Sequence, residues 1–177
     1  MHSYPNAYAD KLVRLLADSG VSVVTNPLDN AVLQGRHDDY PRRRGHTRID
    51  ELHEAGVTVG LGHDSVMDPV YHYGQADPLD AAYVLLHLAH MSGRADVATI
   101  WAMLTRANAS IVDADPRGLV EGAPGSLVVF DATDPFDALR RRAARRLVVK
   151  RGTVVARTDP ATATVVRDGT DRPVSFR

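Results

Sequence analysis

The sequence predicts an α/β protein, and three observations carry that reading. Across residues 7–74 the order is helix, strand, long loop, helix, strand, long loop, the pattern of a parallel α/β unit. The two strands, in VSVVTNP and VTVGL, are near-continuous apolar runs, which marks strands buried on both faces. Beyond Asp113 the pattern changes to short β-branched runs separated by turn residues.

Taken in order, residues 7–19 set Leu12, Leu15 and Leu16 on a helical stripe with Val13 beside them, and Gly20 supplies a stop. VSVVTNP, residues 21–27, is a β-branched run closed by Asn-Pro and reads as a strand. Residues 28–46 are polar and Arg-rich without a period, so a loop is expected. Residues 47–55 predict a helix with Thr47 as N-cap and Gly56 ending it. VTVGL, residues 57–61, is the second strand and runs directly into GLGHDSVMDPVYHYG, residues 60–74. A helix over 78–91 carries Leu79, Ala82, Leu85, Leu86 and Leu88. Another over 95–104 carries Val97, Ile100, Trp101 and Leu104, with Trp101 reading as core, and a short third helix covers 106–111. ADPRGLVEGAPG is rich in Gly and Pro and marks a boundary, dividing the chain into residues 1–112 and 113–177. SLVVFDA, RRLVVKRGTVVAR and ATATVVRD then read as strands, with one helical stretch at 136–142 and a hairpin around Arg151-Gly152.

The totals narrow the function classes. A chain of 177 residues makes one domain or two small ones. Its 21 basic and 22 acidic residues nearly cancel, so charge gives no case for a nucleic-acid or membrane-surface partner. The run RRRAARR, residues 140–146, reads as a solvated face. No cysteine is present, which excludes disulfides and thiolate metal sites and suits a reducing cytoplasm. No apolar run approaches the ~20 residues of a membrane span, and MHSYPNAYAD lacks the features of a signal peptide. A soluble cytoplasmic chain is expected. Any metal site must be built from His, Asp and Glu.

The loop at 60–74 concentrates such residues. Asp64 follows the C-terminal end of a buried strand, where parallel α/β enzymes place catalytic groups. His63 directly precedes it, and neighbouring side chains on an extended segment diverge. Asp68 before Pro69 forms a typical turn, and nothing in the spacing requires His72 to fold back. A catalytic metal normally takes three protein ligands and a water, so this loop offers a partial site. His87 and His90 read as edge histidines on a helix. His37 and His46 flank the Arg-rich loop and are expected to face solvent.

Several spaced motifs in one order resemble cytosine deaminases of the amidohydrolase superfamily. They are NP-x-x-N (Asn26, Pro27, Asn30), LQGR (Leu33 to Arg36), YPRRRG-x-TR (Tyr40 to Arg48), GHD (Gly62 to Asp64) and DP-x-Y (Asp68 to Tyr71). Downstream, LTRANASIVDADPRGLVEGAPGSLVVFDA is similar to the tail of many amidohydrolases. The resemblance implies a (β/α)8 metal-dependent hydrolase barrel with a small β-sandwich made from both chain ends. In those terms residues 1–112 are strands seven and eight with flanking helices, and 113–177 are the C-terminal share of the sandwich. It implies a divalent metal, iron or zinc, with Asp64 both a ligand and the carboxylate that orients and deprotonates water. The family's His-x-His, its further His ligands and its catalytic Glu have no counterpart here, so the metal is not expected to be retained by this chain alone.

Two departures bear on substrate choice. Ser65 stands where cytosine deaminases have a second Asp, and serine is neutral and shorter. Val70 stands where they have Trp, which removes a stacking surface and widens the pocket. Gln34, in the loop after strand seven, is a third pocket-shaping candidate. The activity implied is hydrolytic deamination of a cyclic amidine or nucleobase such as cytosine, or of a bulkier ring such as an oxidised purine or pterin. The alternative is a non-catalytic remnant or structural subunit. Either way the strands at Val21 and Val57 are expected to have unpaired edges, calling for a complementary N-terminal segment or self-association.

Overall fold

The computed structural model describes residues 3–159 and 161–174. It divides into two compact units, Met1–Gly118 and Leu119–Arg177. The division falls inside the Gly- and Pro-rich stretch that the sequence marks as a boundary.

The first unit begins with α1 (Asn6–Ser19), which ends at Gly20 in the left-handed conformation, φ 68°. Its buried stripe is narrower than the leucine pattern suggests. Only Ala9 and Val13 are fully buried, while Leu15 is 54% exposed. After β1 (Val23–Thr25) comes a helix that the aperiodic composition of 28–46 conceals, α2 (Pro27–Leu33). Pro27 takes the first helical position, where its missing N–H costs nothing and its fixed φ is already helical. Helix α3 (Ile49–Glu54) starts one residue later than Thr47 as N-cap predicts, with Arg48 in the cap position. Thr47 does not cap it; its carbonyl instead accepts from the Ile49 amide at 2.9 Å.

Strand β2 (Val59–Leu61) pairs with β1 in parallel, Val23 opposite Val59 and Thr25 opposite Leu61. Strand β2 is buried throughout, because α3, α4 (Pro78–Leu88), α6 (Asn108–Ile111) and a π-helical segment (Met103–Ala107) pack around it. Strand β1 is not buried on both faces as expected: Val24 is 44% exposed. Helix α5 (Arg94–Ala102) runs through the π-helical segment into α6 without a break. The core of the unit gathers Leu52, Val59, Leu61, Leu79, Leu85 and Ile100, none more than 2% exposed. Trp101 is half-buried rather than core, since Val97, Ile100 and Met103 take the inward positions.

One side chain changes the edge expected at β2. Asn108 accepts from the Leu61 amide through Oδ1 at 3.0 Å and donates to the Leu61 carbonyl through Nδ2 at 2.8 Å. At Leu61 the outer edge is therefore paired with a side-chain amide that mimics a neighbouring strand.

His46 departs from its expected solvent position. Its Nε2 meets the Leu88 carbonyl at 2.7 Å, which docks the Arg-rich loop onto the end of α4. His37, His87 and His90 are exposed.

The second unit holds a three-stranded antiparallel sheet in the order β3 (Leu127–Phe130), β4 (Arg145–Lys150), β5 (Thr153–Arg157). Helix α7 (Pro135–Arg141) joins β3 to β4 and is capped by Asp134, which accepts from the Asp137 amide at 2.7 Å. Burial here centres on Ala138, Leu139 and Ala143. The hairpin β6 (Ala163–Arg167) and β7 (Thr170–Val174) turns at Asp168-Gly169, both with positive φ. That dipeptide favours the mirror-image turn whose twist suits a hairpin. Strand β7 lies outside the runs that hydrophobicity selects. Arg140 and Arg141 pair with Asp137 at 2.8 and 2.6 Å, so part of the basic run is neutralised within its own helix. Among the described residues no helix is long and apolar enough to cross a membrane.

Candidate active site

Because β1 and β2 are parallel, the segments that follow them emerge at the same end of the pair. Residues 26–29 follow β1 and residues 62–65 follow β2, joined where the Gly62 amide donates to the Thr25 carbonyl at 2.9 Å. Gly62 leaves room for this meeting. A Cβ there would overlap Asn26 Oδ1 and crowd Val24 Cγ1 at 3.0 Å.

Asp64 sits at that end, exposed, with its backbone in the left-handed region at φ 66°. Residues other than glycine rarely adopt that conformation, and aspartate is among the few that tolerate it. Asn26 Nδ2 donates to Asp64 Oδ2 at 3.1 Å. Beside it, Asp29 is 4% exposed, and its Oδ2 accepts from the Ser65 amide at 2.9 Å. The Ser65 carbonyl faces His63 Nδ1 at 3.1 Å. A carbonyl can only accept, so Nδ1 is the donor in that bond. The Ser65 backbone is thus bonded through both its amide and its carbonyl.

The rest of the loop is folded on itself. Asp68 Oδ1 accepts from the amides of Val70 and Tyr71, both at 2.8 Å. These bonds and one from the Ser65 side chain hold the Asp68 carboxyl below its ordinary range, the Tyr71 amide contributing most. Tyr71 is 7% exposed and packs edge-on between His63 and Tyr73, with centroids at 6.1 and 5.7 Å. Burial raises its phenol, and the charge of Asp29 adds to that rise. Gly74, φ 86°, lies so close to His63 that a Cβ would overlap Cε1 and Nε2.

Three polar atoms at this end are buried without a partner among the described residues: Thr25 Oγ1, Asp29 Oδ1 and His63 Nε2. Buried polar groups are normally paired, so their grouping marks a polar site. The donors present do not make a metal site by themselves. Among the described residues no three His, Asp or Glu side chains come together to hold a metal ion. Asp64 brings one carboxylate, and Asn26 turns its amide NH2, which cannot ligate, toward it. His63 packs its Nε2 against Gly74. His63 and Asp64 do go separate ways, His63 to Gly74 and Asp64 to Asn26, and the backbone at Asp64 is left-handed rather than extended.

Of the residues the sequence singles out, Asp64 and Ser65 lie together at the strand ends. Val70 is in the same loop and half-exposed. Gln34 is not brought to them. It caps the far end of α2, roughly 12 Å along the axis from Asn26, with its carbonyl toward Arg44 Nη1. Asp29 is the site residue that sequence reasoning misses. Its signal was faint: an acid three residues after a strand-ending Asn, inside a stretch read as loop.

An open groove of about 330 Å³ lies elsewhere, lined by His53, Val57, Val59, Thr99, Met103 and Arg106. It follows the N-terminal half of β2 and includes none of the residues around Asp64.

Comparison with known proteins agrees with this geometry. A pterin deaminase from Rhizobium rhizogenes is 34% identical over 150 residues, 84% of this chain and 34% of that protein. The 5-methylcytosine deaminase of Klebsiella pneumoniae, solved with phosphonocytosine, superposes with a TM-score of 0.83 at 37% identity. The match covers 90% of this chain and 39% of that one. N-isopropylammelide isopropylaminohydrolase from Burkholderia multivorans superposes with a TM-score of 0.73 at 28% identity, covering 88% and 37%. The chain therefore spans about a third of the length of the curated relative it matches. The model of the amidohydrolase family matches residues 1–156, and with a strand-end aspartate steadied by its neighbours in a parallel α/β unit, the chain belongs to that family.

Proposed function

We propose that this chain is the C-terminal part of a hydrolase that removes the amino group from a cyclic amidine in a heteroaromatic ring. In this reading β1 and β2 are the last two strands of a (β/α)8 barrel, and the second unit is its share of a small sandwich. The observation that carries the proposal is Asp64, exposed at the C-terminal end of a parallel pair and held there by Asn26. The similarity to deaminases of pterin and of 5-methylcytosine supports an amino-bearing ring as substrate.

Hydrolytic deamination adds water to the ring carbon that bears the amino group. A carboxylate beside the water accepts its proton and returns a proton to the departing nitrogen. The carbon–nitrogen bond breaks, ammonia leaves and a ring carbonyl remains. Asp64 is the residue assigned to that proton. Ser65 and Val70, in place of an acid and a large aromatic, favour a ring bulkier than cytosine, with a pterin the leading candidate. The family's divalent metal, iron or zinc, needs ligands beyond the described residues, which a complementary N-terminal segment supplies.

The test is ammonia release from pterin, 5-methylcytosine and cytosine by the chain alone and by the chain supplemented with the N-terminal segment of a deaminase relative. Release from the supplemented sample, lost in Asp64→Asn, supports the proposal. No release from any ring, or release that survives Asp64→Asn, sinks it. The absence of a three-ligand group among the described residues favours a second reading, a non-catalytic subunit. Under that reading every supplemented sample is inert.

A further inference from the structure

We infer that Asp29 is a positioning residue that sets the orientation of Asp64. The inference rests on the reading of Asp64 as the reacting carboxylate. Asp29 stands in the first turn of α2, and its side chain crosses to the other strand end, where Oδ2 accepts from the Ser65 amide at 2.9 Å. Ser65 immediately follows Asp64, whose φ of 66° is a conformation that surrounding structure must hold in place. Asn26, at the start of the same helix, bonds the Asp64 side chain at 3.1 Å. One turn of helix thus grips the residue at two points, its carboxylate through Asn26 and the following peptide through Asp29.

Burial gives the second bond its leverage. Asp29 is 4% exposed and Oδ1 has no partner among the described residues, so Oδ2 has little else to accept from. A hydrogen bond to a buried charged group is among the stronger kinds. Releasing it frees the Ser65 peptide to rotate, and Asp64 can then relax toward ordinary φ values and leave Asn26. The residue acts through the Ser65 backbone amide, the peptide that immediately follows Asp64.

The experiment compares Asp29→Asn with Asp29→Ala in this chain, using amide hydrogen exchange and the NMR signals of the Asn26 side-chain amide. Asparagine keeps an oxygen that accepts from the Ser65 amide; alanine does not. In Asp29→Ala the Ser65 amide is expected to exchange roughly tenfold faster or more, and the Asn26 signals to shift. In Asp29→Asn both should stay near the parent, while amides within β2 hold in both variants. If Asp29→Ala leaves Ser65 and Asn26 as in the parent, or loosens them only as much as all of β2, Asp29 is no positioning residue. In the supplemented assay, Asp29→Ala is expected to lower kcat roughly tenfold or more with little change in KM, and Asp29→Asn to restore it. An inert parent would overturn the proposed function, whereas the exchange and NMR readouts judge Asp29 independently.

Discussion

At the scale of single residues, the site depends on conformations that ordinary side chains resist. Gly74 combines a φ of 86° with the His63 ring where a side chain would go. Gly118 has a similar φ of 76° and nothing within 4 Å, so it serves as a control. Gly118→Ala should cost the backbone term alone, about 1–3 kcal/mol. Gly74→Ala should cost measurably more in urea denaturation of the chain, because the His63 ring must also move. Equal losses in the two variants would show that the ring yields freely. The sequence makes Asp64 a candidate, because it stands three residues past an apolar strand within a GHD motif. It does not reveal the left-handed turn at Asp64, since a GHD string carries no marker of φ at its last residue. Asp29 stays hidden for another reason: its partner is a backbone amide thirty-six positions away.

At the scale of elements, the long periodic helices and the apolar strands are legible, and the short elements are not. Helix α2 has seven residues, too few for a clear period amid polar neighbours, and tertiary packing against α4 supplies its order. Helix α3 starts late because Thr47 is drawn into a backbone turn. The role of Asn108 is invisible in a helical stretch. Asn108→Ala should leave the Leu61 amide and carbonyl without their side-chain partner and cost about 1–3 kcal/mol, again read from denaturation. Asn108→Asp should not rescue it, because a carboxylate cannot donate to the Leu61 carbonyl. A pH test belongs to the Arg-rich loop, where Arg43 bonds Asp38 side chain to side chain and holds its carboxyl at about 2, below the ordinary 3.8. A depressed carboxyl stabilises the fold above its unfolded value. That contribution should therefore be present above about pH 4 and fade as the pH falls toward about 2. Asp38→Asn should flatten the dependence of the urea midpoint in that window; unchanged curves would show the pair to be idle.

At the scale of the whole molecule, the α/β class follows from the order of the elements, and exposed apolar surface accompanies the strand edges expected to lack partners. Leu15, Val21 and Val24 are each 44–54% exposed on α1, the segment after it and β1. A parallel pair of strands covered by helices at β2 but bare at Val24 invites association. The purified chain is expected to self-associate with rising concentration in size-exclusion chromatography, and the complementary segment should return it to one defined species. A monodisperse, cooperatively unfolding monomer across that range would count against the need for either. The Asn108 amide limits how such association can proceed. Any strand laid alongside β2 finds Leu61 already engaged, so it can zip up only from below and must splay away near the top. A docked neighbour would then lean outward at the end where Asp64 lies, held off by a single side-chain amide.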